Sequence, residues 1–265
     1  MKTAVISRAN NVKEPLQMHL KELHLPTIRQ SYEEMALLAQ QETLSYERYL
    51  LELVERESEV RTQNRIQRRL GDSGLPLEKD LDSFDLKRLP RKVQQQVGAL
   101  LTGDFVQRTE NALAFGNPGS GKTHLLCAIG QELIRSSGGK RKVCFRKCAW
   151  LVQELLKAKQ ELRLNRFLKR LSRYDVLLID DIGYVQQNRE EMEVLFTMLA
   201  ERYERGSVML TSNLPFSKWE QIFKDPMTTA AAIDRLVHHS VILELNIPSY
   251  RLEQAQAAKA RKSTH

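Results

Sequence analysis

Residues 116–123 place three glycines, a lysine and a threonine at the spacing G-x-x-x-x-G-K-[ST]. Glycines allow the backbone to wrap closely around an anion, and the N–H groups at the start of a following helix point toward its negative charge. A lysine at this position reaches the outer phosphates of a nucleotide, and the final hydroxyl can bind Mg²⁺. The pattern therefore predicts a phosphate-binding loop. We expect the nucleotide to be held by Gly116, Asn117, Pro118, Gly119, Ser120, Gly121, Lys122, Thr123 and His124, with Lys122 also taking part in catalysis.

Two adjacent aspartates, Asp180 and Asp181, follow the apolar run of residues 176–179. Ligands of open parallel sheets bind at the carboxyl ends of the strands, where this pair would face the phosphate-binding loop. We expect Asp180 to bind Mg²⁺ together with Thr123, and Asp181 to orient or deprotonate an attacking water. An alternative stays open, in which Asp181 only caps the next segment, because adjacent side chains of an extended strand point in opposite directions.

The segments that must position these residues alternate short apolar runs with longer amphipathic ones after residue 110. That alternation is typical of a parallel sheet covered by helices, so the sequence predicts an α/β fold with a parallel five-stranded sheet flanked by helices. The predicted strands cover residues 112–115, 143–146, 176–179, 207–211 and 241–245. The predicted helices cover residues 122–135, 149–159, 166–173, 190–204, 217–223 and 228–239. A strand before the loop and a helix after it favour phosphate binding over a glycine-rich turn without a ligand.

The first hundred residues carry helical patterns and no strand pattern. Helices are predicted over residues 14–23, 27–40, 45–70 and 93–101, and Pro, Gly and Asp interrupt the pattern between residues 75 and 84. We therefore expect four parts. These are a small all-helical N-terminal domain (1–74), a linker with a connecting helix (75–101), the nucleotide-binding domain (102–253) and a basic C-terminal tail (254–265).

The positive charge of the chain is concentrated in one segment. The formal net charge is +8, of which the first hundred residues contribute only +1, and residues 135–173 hold 13 basic and 2 acidic side chains. Such a segment predicts a polyanionic partner. The alternative is a solvated charged face.

Composition excludes several other classes of protein. No apolar run approaches the roughly 20 residues that span a bilayer, and the first residues lack the apolar core of a secretion signal, so we expect a soluble cytoplasmic protein. The three cysteines, Cys127, Cys144 and Cys148, are expected to be reduced thiols. A zinc site on Cys144 and Cys148 would need two further ligands, and the adjacent His238 and His239 are the nearest approach to such a pair. We expect no structural metal.

Four separated motifs together resemble the IstB family of transposition helper ATPases, and the likeness extends over residues 25–251. The motifs are GNPGSGKTH, IDDIGY, MLTSNLPFSKW and AAAIDRLVHHS. Members of this family are AAA+ proteins of the initiator clade, related to the DnaC helicase loaders. The resemblance implies an AAA+ domain that hydrolyses ATP with Mg²⁺. It also implies three partners, namely duplex DNA, a transposase, and further copies of the chain with nucleotide at the subunit interfaces.

The resemblance also implies catalytic and binding roles for three other residues. Asn213 would be the polar residue that contacts the γ-phosphate or the attacking water, although its residue type alone equally suits a turn. Arg235 would be an arginine finger acting on nucleotide bound by a neighbouring subunit, with an ion pair to Asp234 or to a nearby carboxylate as the alternative. Arg251 would contact the nucleotide. Many AAA+ ATPases have Asp-Glu where this chain has Asp180 and the shorter Asp181, so we expect slow turnover.

In the initiator clade, an extra helix after the second strand lines a nucleic-acid channel, and the basic segment occupies the corresponding region. Aromatic residues are sparse there, which favours contacts to duplex phosphates over base stacking, and part of the cluster could instead meet acidic surfaces of neighbouring subunits. The predicted DNA-contacting residues are Lys140, Arg141, Lys142, Lys157, Lys159, Arg163, Arg166, Lys169, Arg170 and Arg173.

The sequence thus predicts an ATP-dependent helper that assembles on target duplex DNA, bends or remodels it, and recruits or activates a transposase. A replicative helicase loader of the DnaC type shares every ATPase motif and is the main alternative. A small-molecule kinase would need only the phosphate-binding loop and one carboxylate. The kinase hypothesis gives no role to Asn213, Arg235 and the basic segment.

Overall fold

The structure is a computed structural model that describes residues 2–183, 189–223, 225–250 and 252–253, with side chains described from residue 12 onward. The chain divides into two compact units, Met1–Arg65 and Ile66–His265. No helix in the described ranges is long and apolar enough to cross a membrane.

The first unit is helical, with helices α1 (Lys2–Glu22), α2 (Pro26–Gln41) and the greater part of α3 (Tyr46–Ser73). Leu20, Ile28 and Leu53 form its small buried core. The side chain of Leu25, the residue that precedes α2, makes no capping hydrogen bond. The buried carboxylate of Glu57 on α3 does so instead, because it accepts hydrogen bonds from Thr27 N at 2.8 Å and Ile28 N at 3.1 Å. This contact joins α2 to α3 through the positive end of a helix.

The second unit contains a five-stranded parallel sheet and the helices that cover it. After α3 come the helices α4 (Arg91–Thr102) and α5 (Asp104–Gln107), and then β1 (Asn111–Phe115), α6 (Lys122–Ser136), β2 (Val143–Lys147), α7 (Cys148–Gln160), α8 (Leu164–Leu171), β3 (Val176–Ile182), α9 (Arg189–Arg202), β4 (Ser207–Ser212), α10 (Glu220–Phe223), α11 (Pro226–Val237) and β5 (Ser240–Glu244). Short 3₁₀ turns lie at Leu86–Arg88 and Phe216–Lys218.

The strand order is β2-β3-β4-β1-β5, and every described pairing is parallel. The strands are apolar because both faces of the sheet are covered. One face packs against α7 to α11, and the other packs against α4, α6 and the last turns of α3. The predicted α/β fold with a parallel five-stranded sheet is confirmed.

Several predicted element boundaries differ from the observed ones. α1 begins at Lys2, well before the predicted start at residue 14, and α5 was not predicted. β3 continues to Ile182, three residues beyond the predicted end. The helix predicted over residues 217–223 is a 3₁₀ turn followed by the short α10. The compact units divide between residues 65 and 66, whereas the sequence placed the end of the helical domain at residue 74. Ile66 and Leu70, on the last turns of α3, belong to the core of the second unit. The four-part domain division itself stays a prediction.

All three cysteines are buried. Burial raises the pKa of Cys127 to about 12 and raises the pKa of Cys144 as well, so these thiols stay protonated at neutral pH. His238 and His239 come together with Glu204, in an exposed cluster whose ligand atoms lie within 4.8 Å of one another. Cys144 and Cys148 are not part of that cluster.

Candidate functional site

The phosphate-binding loop connects β1 to α6 and depends on glycine for its shape. Gly119 and Gly121 have φ angles of 82° and 91°, a backbone region that other residues rarely adopt. A Cβ at Gly119 would overlap Ser249 Oγ, and one at Gly121 would come within 2.9 Å of the Phe84 ring. Only glycine fits at these two positions. The loop so formed directs the first N–H groups of α6 toward the cleft.

Two polar side chains of this loop are buried. The Lys122 ammonium donates hydrogen bonds to the carbonyl oxygens of Gly116 at 2.8 Å and Asn117 at 2.9 Å, which holds it over the loop. The Ser120 hydroxyl has no hydrogen-bond partner in the part of the chain that the structure describes. A buried lysine, an unsatisfied hydroxyl and a helix N-terminus in one loop fit a phosphate group.

Asp180 contacts Thr123 of the phosphate-binding loop. The Thr123 hydroxyl donates a hydrogen bond to Asp180 Oδ1 at 2.6 Å, and Asp180 is buried at the carboxyl end of β3. A hydroxyl and a carboxylate from two elements supply the hard oxygen ligands that Mg²⁺ prefers. The residues present therefore fit this ion, and the assignment of Thr123 and Asp180 as its ligands stays a prediction.

Asp181 reaches the same cleft because the end of β3 is irregular. Its φ of 67° lies in the left-handed region, and the pairing of β3 with β4 shifts register between Ile179 and Ile182. This bulge removes the regular alternation of a strand, so that Asp180 contacts Thr123 while Asp181 lines the cleft. Adjacent side chains of a regular strand would point in opposite directions, which was the reason for the capping alternative. The bulge removes that reason for Asp181.

Asn213 lies beside Asp181. Its side-chain amide donates a hydrogen bond to Asp181 Oδ1 at 3.1 Å, and both side chains line the cleft. The amide therefore has a side-chain partner in the site, beyond any role in the turn after β4.

Thr211 is a site residue that the sequence did not identify. Its hydroxyl donates to Asp180 Oδ1 at 2.7 Å and accepts a hydrogen bond from Asp181 N at 2.7 Å, and the residue is 1% exposed. One hydroxyl therefore fixes both the carboxylate of Asp180 and the backbone of Asp181. The available signal was its position near the end of a strand, two residues before Asn213.

The cleft has a volume of about 480 Å³, and a second wall completes it. This wall comes from the segment before α4 and from the segment after β5, and it includes Phe84, Arg88, Ile247 and Tyr250. Arg88 joins the two segments, because it lies 5.2 Å from the centre of the Tyr250 ring and pairs with Glu253 at 2.6 Å. Sequence reasoning did not identify this wall, since no spacing motif links its two distant segments.

His124 attaches the segment before α4 to the loop. Its Nε2 lies 2.9 Å from Asp80 O and 3.2 Å from Ser83 Oγ, and its ring packs edge-on against Phe84. His124 lines the cleft as predicted for a nucleotide-binding residue. Its observed contacts position the opposite wall.

Arg251 lies outside the described residues.

Arg235 lies on α11 near the amino edge of the sheet, since the neighbouring Leu236 O accepts a hydrogen bond from Asn111 at the start of β1. The phosphate-binding loop begins at the other end of β1, roughly 13 Å along the strand. The Arg235 guanidinium stacks 4.9 Å from the centre of the Phe196 ring and donates to Ala231 O. The described lining of the cleft does not include Arg235, so the structure does not bring it to the chain's own nucleotide site.

The predicted DNA-contacting residues fall into two groups. Lys140, Arg141 and Lys142 precede β2, and the Arg141 guanidinium donates to Gly103 O at 3.0 Å in a partly buried contact. The other group lies on α7, α8 and the adjoining turns, and consists of Lys157, Lys159, Arg163, Arg166, Lys169, Arg170 and Arg173. Most of this group is exposed, although Lys159 pairs with Glu193 at 2.9 Å. Contact with DNA stays a prediction for all ten.

Comparisons with known proteins agree with this geometry. A sequence model of the family described as IstB-like ATP binding protein matches residues 18–258. The putative insertion sequence ATP-binding protein y4iQ/y4nD/y4sD of Sinorhizobium fredii is 40% identical over 248 residues, which cover 93% of this chain and 82% of that protein. The insertion sequence IS21 putative ATP-binding protein of Pseudomonas aeruginosa is 39% identical over 250 residues, covering 92% of this chain and 90% of that one.

Solved structures share the fold of this chain over about two thirds of its length. The crystal structure of the DnaC helicase loader superposes with a TM-score of 0.52 at 18% identity, covering 64% of this chain and 97% of that one. The AMPPCP-bound DnaA from Aquifex aeolicus superposes with a TM-score of 0.53 at 18% identity, covering 65% of this chain and 51% of that one. At this level of identity the likeness concerns the AAA+ fold alone.

Proposed function

The chain belongs to the family of IstB-like ATP-binding proteins, and from this premise we propose that it hydrolyses ATP, assembles on duplex DNA, bends it, and recruits or activates a transposase. The observation that carries the hydrolysis step is that Asp181 lines the cleft of the phosphate-binding loop, while Asp180 accepts a hydrogen bond from Thr123 of that loop. The printed names of the relatives, which are ATP-binding proteins of insertion sequences, support the link to transposition.

In the proposed reaction, the amides of the loop and Lys122 bind the phosphates of ATP. Thr123 and Asp180 would hold Mg²⁺, which when bound neutralises charge on the phosphate oxygens. Asp181 orients the attacking water and accepts its proton, and Asn213 holds the Asp181 carboxylate in place through the 3.1 Å hydrogen bond. The wall formed by Phe84, Arg88 and Tyr250 covers the side of the cleft left for the base and ribose.

Binding of duplex DNA is supported by the exposed basic residues of α7 and α8. Lysine and arginine side chains give affinity through phosphate oxygens, without reading the base sequence. Such binding suits a helper that acts on target sites of many sequences, and it weakens steeply with salt.

The position of Arg235 supports assembly of several copies. A guanidinium at the amino edge of the sheet serves ATP hydrolysis only if a second copy presents its nucleotide there. An arginine supplied by a neighbour stabilises negative charge on the transferring phosphate. Hydrolysis would then depend on the assembled state.

A helicase loader of the DnaC type is the second candidate, because the DnaC crystal structure has the same fold. The extent of the matches favours transposition. The insertion-sequence relatives align over more than nine tenths of this chain, whereas the DnaC structure covers 64% of it.

The test is phosphate release by the purified full-length chain with and without duplex DNA, followed by capture on immobilised transposase or immobilised replicative helicase. We expect DNA to stimulate release and the transposase to capture the chain in the presence of ATP. Capture by the helicase alone would favour the loader. Stimulation by a small metabolite instead of DNA would contradict both.

A further inference from the structure

The turn between α7 and α8 presents a leucine to solvent. Leu162 is 95% exposed, more than any other large apolar side chain in the described ranges. It belongs to none of the buried clusters of those ranges. Single exposed apolar residues are common, so exposure alone assigns no role.

The backbone of Leu162 adds a second, independent observation. Its φ of 56° lies in the left-handed region. It follows Glu161, the C-cap residue of α7. Both hydrogen bonds of a Schellman motif are present, from Leu162 N to Lys159 O at 3.0 Å and from Arg163 N to Ala158 O at 2.7 Å. Glycine is the usual residue at this position, because it has no Cβ to strain.

Other residues of the chain that adopt this conformation are of a different kind. The remaining non-glycine residues with positive φ in the described ranges are polar, namely His24, Thr43, Thr109, Asp181 and Glu204. Leu162 therefore has a backbone conformation that is unfavourable for leucine, and its apolar side chain is exposed to water. The two backbone hydrogen bonds support the conformation, but no buried cluster of the described residues takes up the exposed side chain.

The charges around Leu162 indicate what it meets. Lys157, Lys159, Arg163 and Arg166 lie within five residues of it, and Glu161 is the one acidic residue in that interval. Glu161 lies 3.6 Å from Arg163, and Lys159 pairs with Glu193, whereas Lys157 and Arg166 are exposed and form no ion pair with any described residue. An exposed apolar side chain flanked in sequence by basic residues is complementary to the base steps and phosphates of duplex DNA. A second copy of the chain that met this surface with its own basic segment would be repelled.

We propose that Leu162 is an apolar wedge that enters the minor groove of duplex DNA and partly separates two adjacent base pairs, while the surrounding basic side chains contact phosphates. Leucine is among the side chains that kink DNA in this way, and the exposed hydrocarbon is buried in the process. This inference rests on the proposed function, because it names the residue that bends the duplex.

The test uses the full-length chain with ATP, Mg²⁺ and a short duplex that carries a donor and an acceptor fluorophore at its ends. Energy transfer at saturating protein reports bending, and the salt dependence of binding reports phosphate contacts. The variant Leu162→Gly removes the side chain and suits the left-handed backbone, so we expect its melting temperature to be at least that of the parent. We expect it to lose the rise in energy transfer while the salt slope stays unchanged.

The matched control is Arg166→Ala, which removes one phosphate contact. We expect its salt slope to fall by about 1 and its energy transfer at saturation to match the parent. Equal bending by Leu162→Gly and the parent would overturn the wedge. So would loss of self-association by Leu162→Gly without DNA, because the leucine would then pack against another copy. A parent that binds duplex without bending it would overturn the wedge and leave DNA binding standing, whereas a parent that binds no duplex would contradict the proposed function itself.

Discussion

The side-chain amide of Asn213 donates a hydrogen bond to Asp181 Oδ1 at 3.1 Å, from the turn after β4, the strand beside the one that carries the carboxylate. Asp181 therefore has a fixed orientation before any nucleotide enters. This arrangement separates its role from that of Asp180, which is held by Thr123 and Thr211. Two adjacent carboxylates thus have different partners and can perform different tasks.

Replacing Asp181 with asparagine should abolish hydrolysis while ATP and DNA binding persist. The amide keeps nearly the same shape but cannot accept the proton of the attacking water, and loss of a general base typically costs about 10²- to 10⁴-fold in rate. Phosphate release and equilibrium ATP binding are the two measurements. Asp104→Asn, on α5, is the control and should behave as the parent. Unchanged phosphate release in Asp181→Asn would remove Asp181 from the mechanism.

Replacing Arg235 with alanine should reduce phosphate release by roughly 10³-fold, as expected for loss of an arginine finger. Mixing Arg235→Ala with Lys122→Ala should restore part of the activity. In a mixed assembly, an intact nucleotide site of the first variant meets an intact arginine of the second. Activity is measured against the mixing ratio, with native mass confirming that mixed assemblies form. Mixed assemblies without any recovered activity would show that Arg235 does not act across an interface.

The sequence predicts the phosphate-binding loop and the Asp180–Asp181 pair because each is a contiguous motif with its own chemistry. It does not predict that Asp181 turns into the cleft, since this depends on the bulge against β4 and on knowing that β3 and β4 are neighbours. Thr211 was missed for the same reason. Phe84 and Tyr250 were missed because only the folded chain brings the segments before α4 and after β5 to one wall.

Glu57 should make the stability of the helical N-terminal unit depend on pH. Burial would raise its pKa, but hydrogen bonds from Ile28 N, Arg61 and Thr27 N outweigh burial and hold the pKa below its ordinary value of 4.5. The stabilisation is therefore fully present above pH 4.5 and is lost as the pH falls through the lower folded-state pKa. Glu57→Ala should destabilise this unit by about 1–3 kcal/mol, because two N–H groups lose their acceptor.

The measurement is thermal unfolding followed by far-ultraviolet circular dichroism across the acid range. Glu57→Gln is the matched control, because it keeps an oxygen acceptor and loses the titrating group. Its melting temperature should vary less between pH 5 and pH 3 than that of the parent. Identical acid profiles for the parent and Glu57→Gln would contradict the assigned role of the carboxylate.

Thr211 should act as a positioning residue whose loss lowers turnover more than it weakens ATP binding. Its hydroxyl holds Asp180 Oδ1 and Asp181 N at 2.7 Å each, so Thr211→Val leaves the N–H of Asp181 without its acceptor and removes one of the two hydroxyls that hold the Asp180 carboxylate. An unsatisfied buried donor costs about 1–3 kcal/mol, which corresponds to roughly tenfold to a hundredfold in rate if the cost falls on the transition state. Thr211→Ser retains the hydroxyl and should recover most of the activity. Kinetics at varied ATP separate kcat from KM, and a melting curve separates both from unfolding. If Thr211→Val and Thr211→Ser lose kcat equally, the methyl group and its packing matter, and the hydrogen bonds to Asp180 and Asp181 do not position the site.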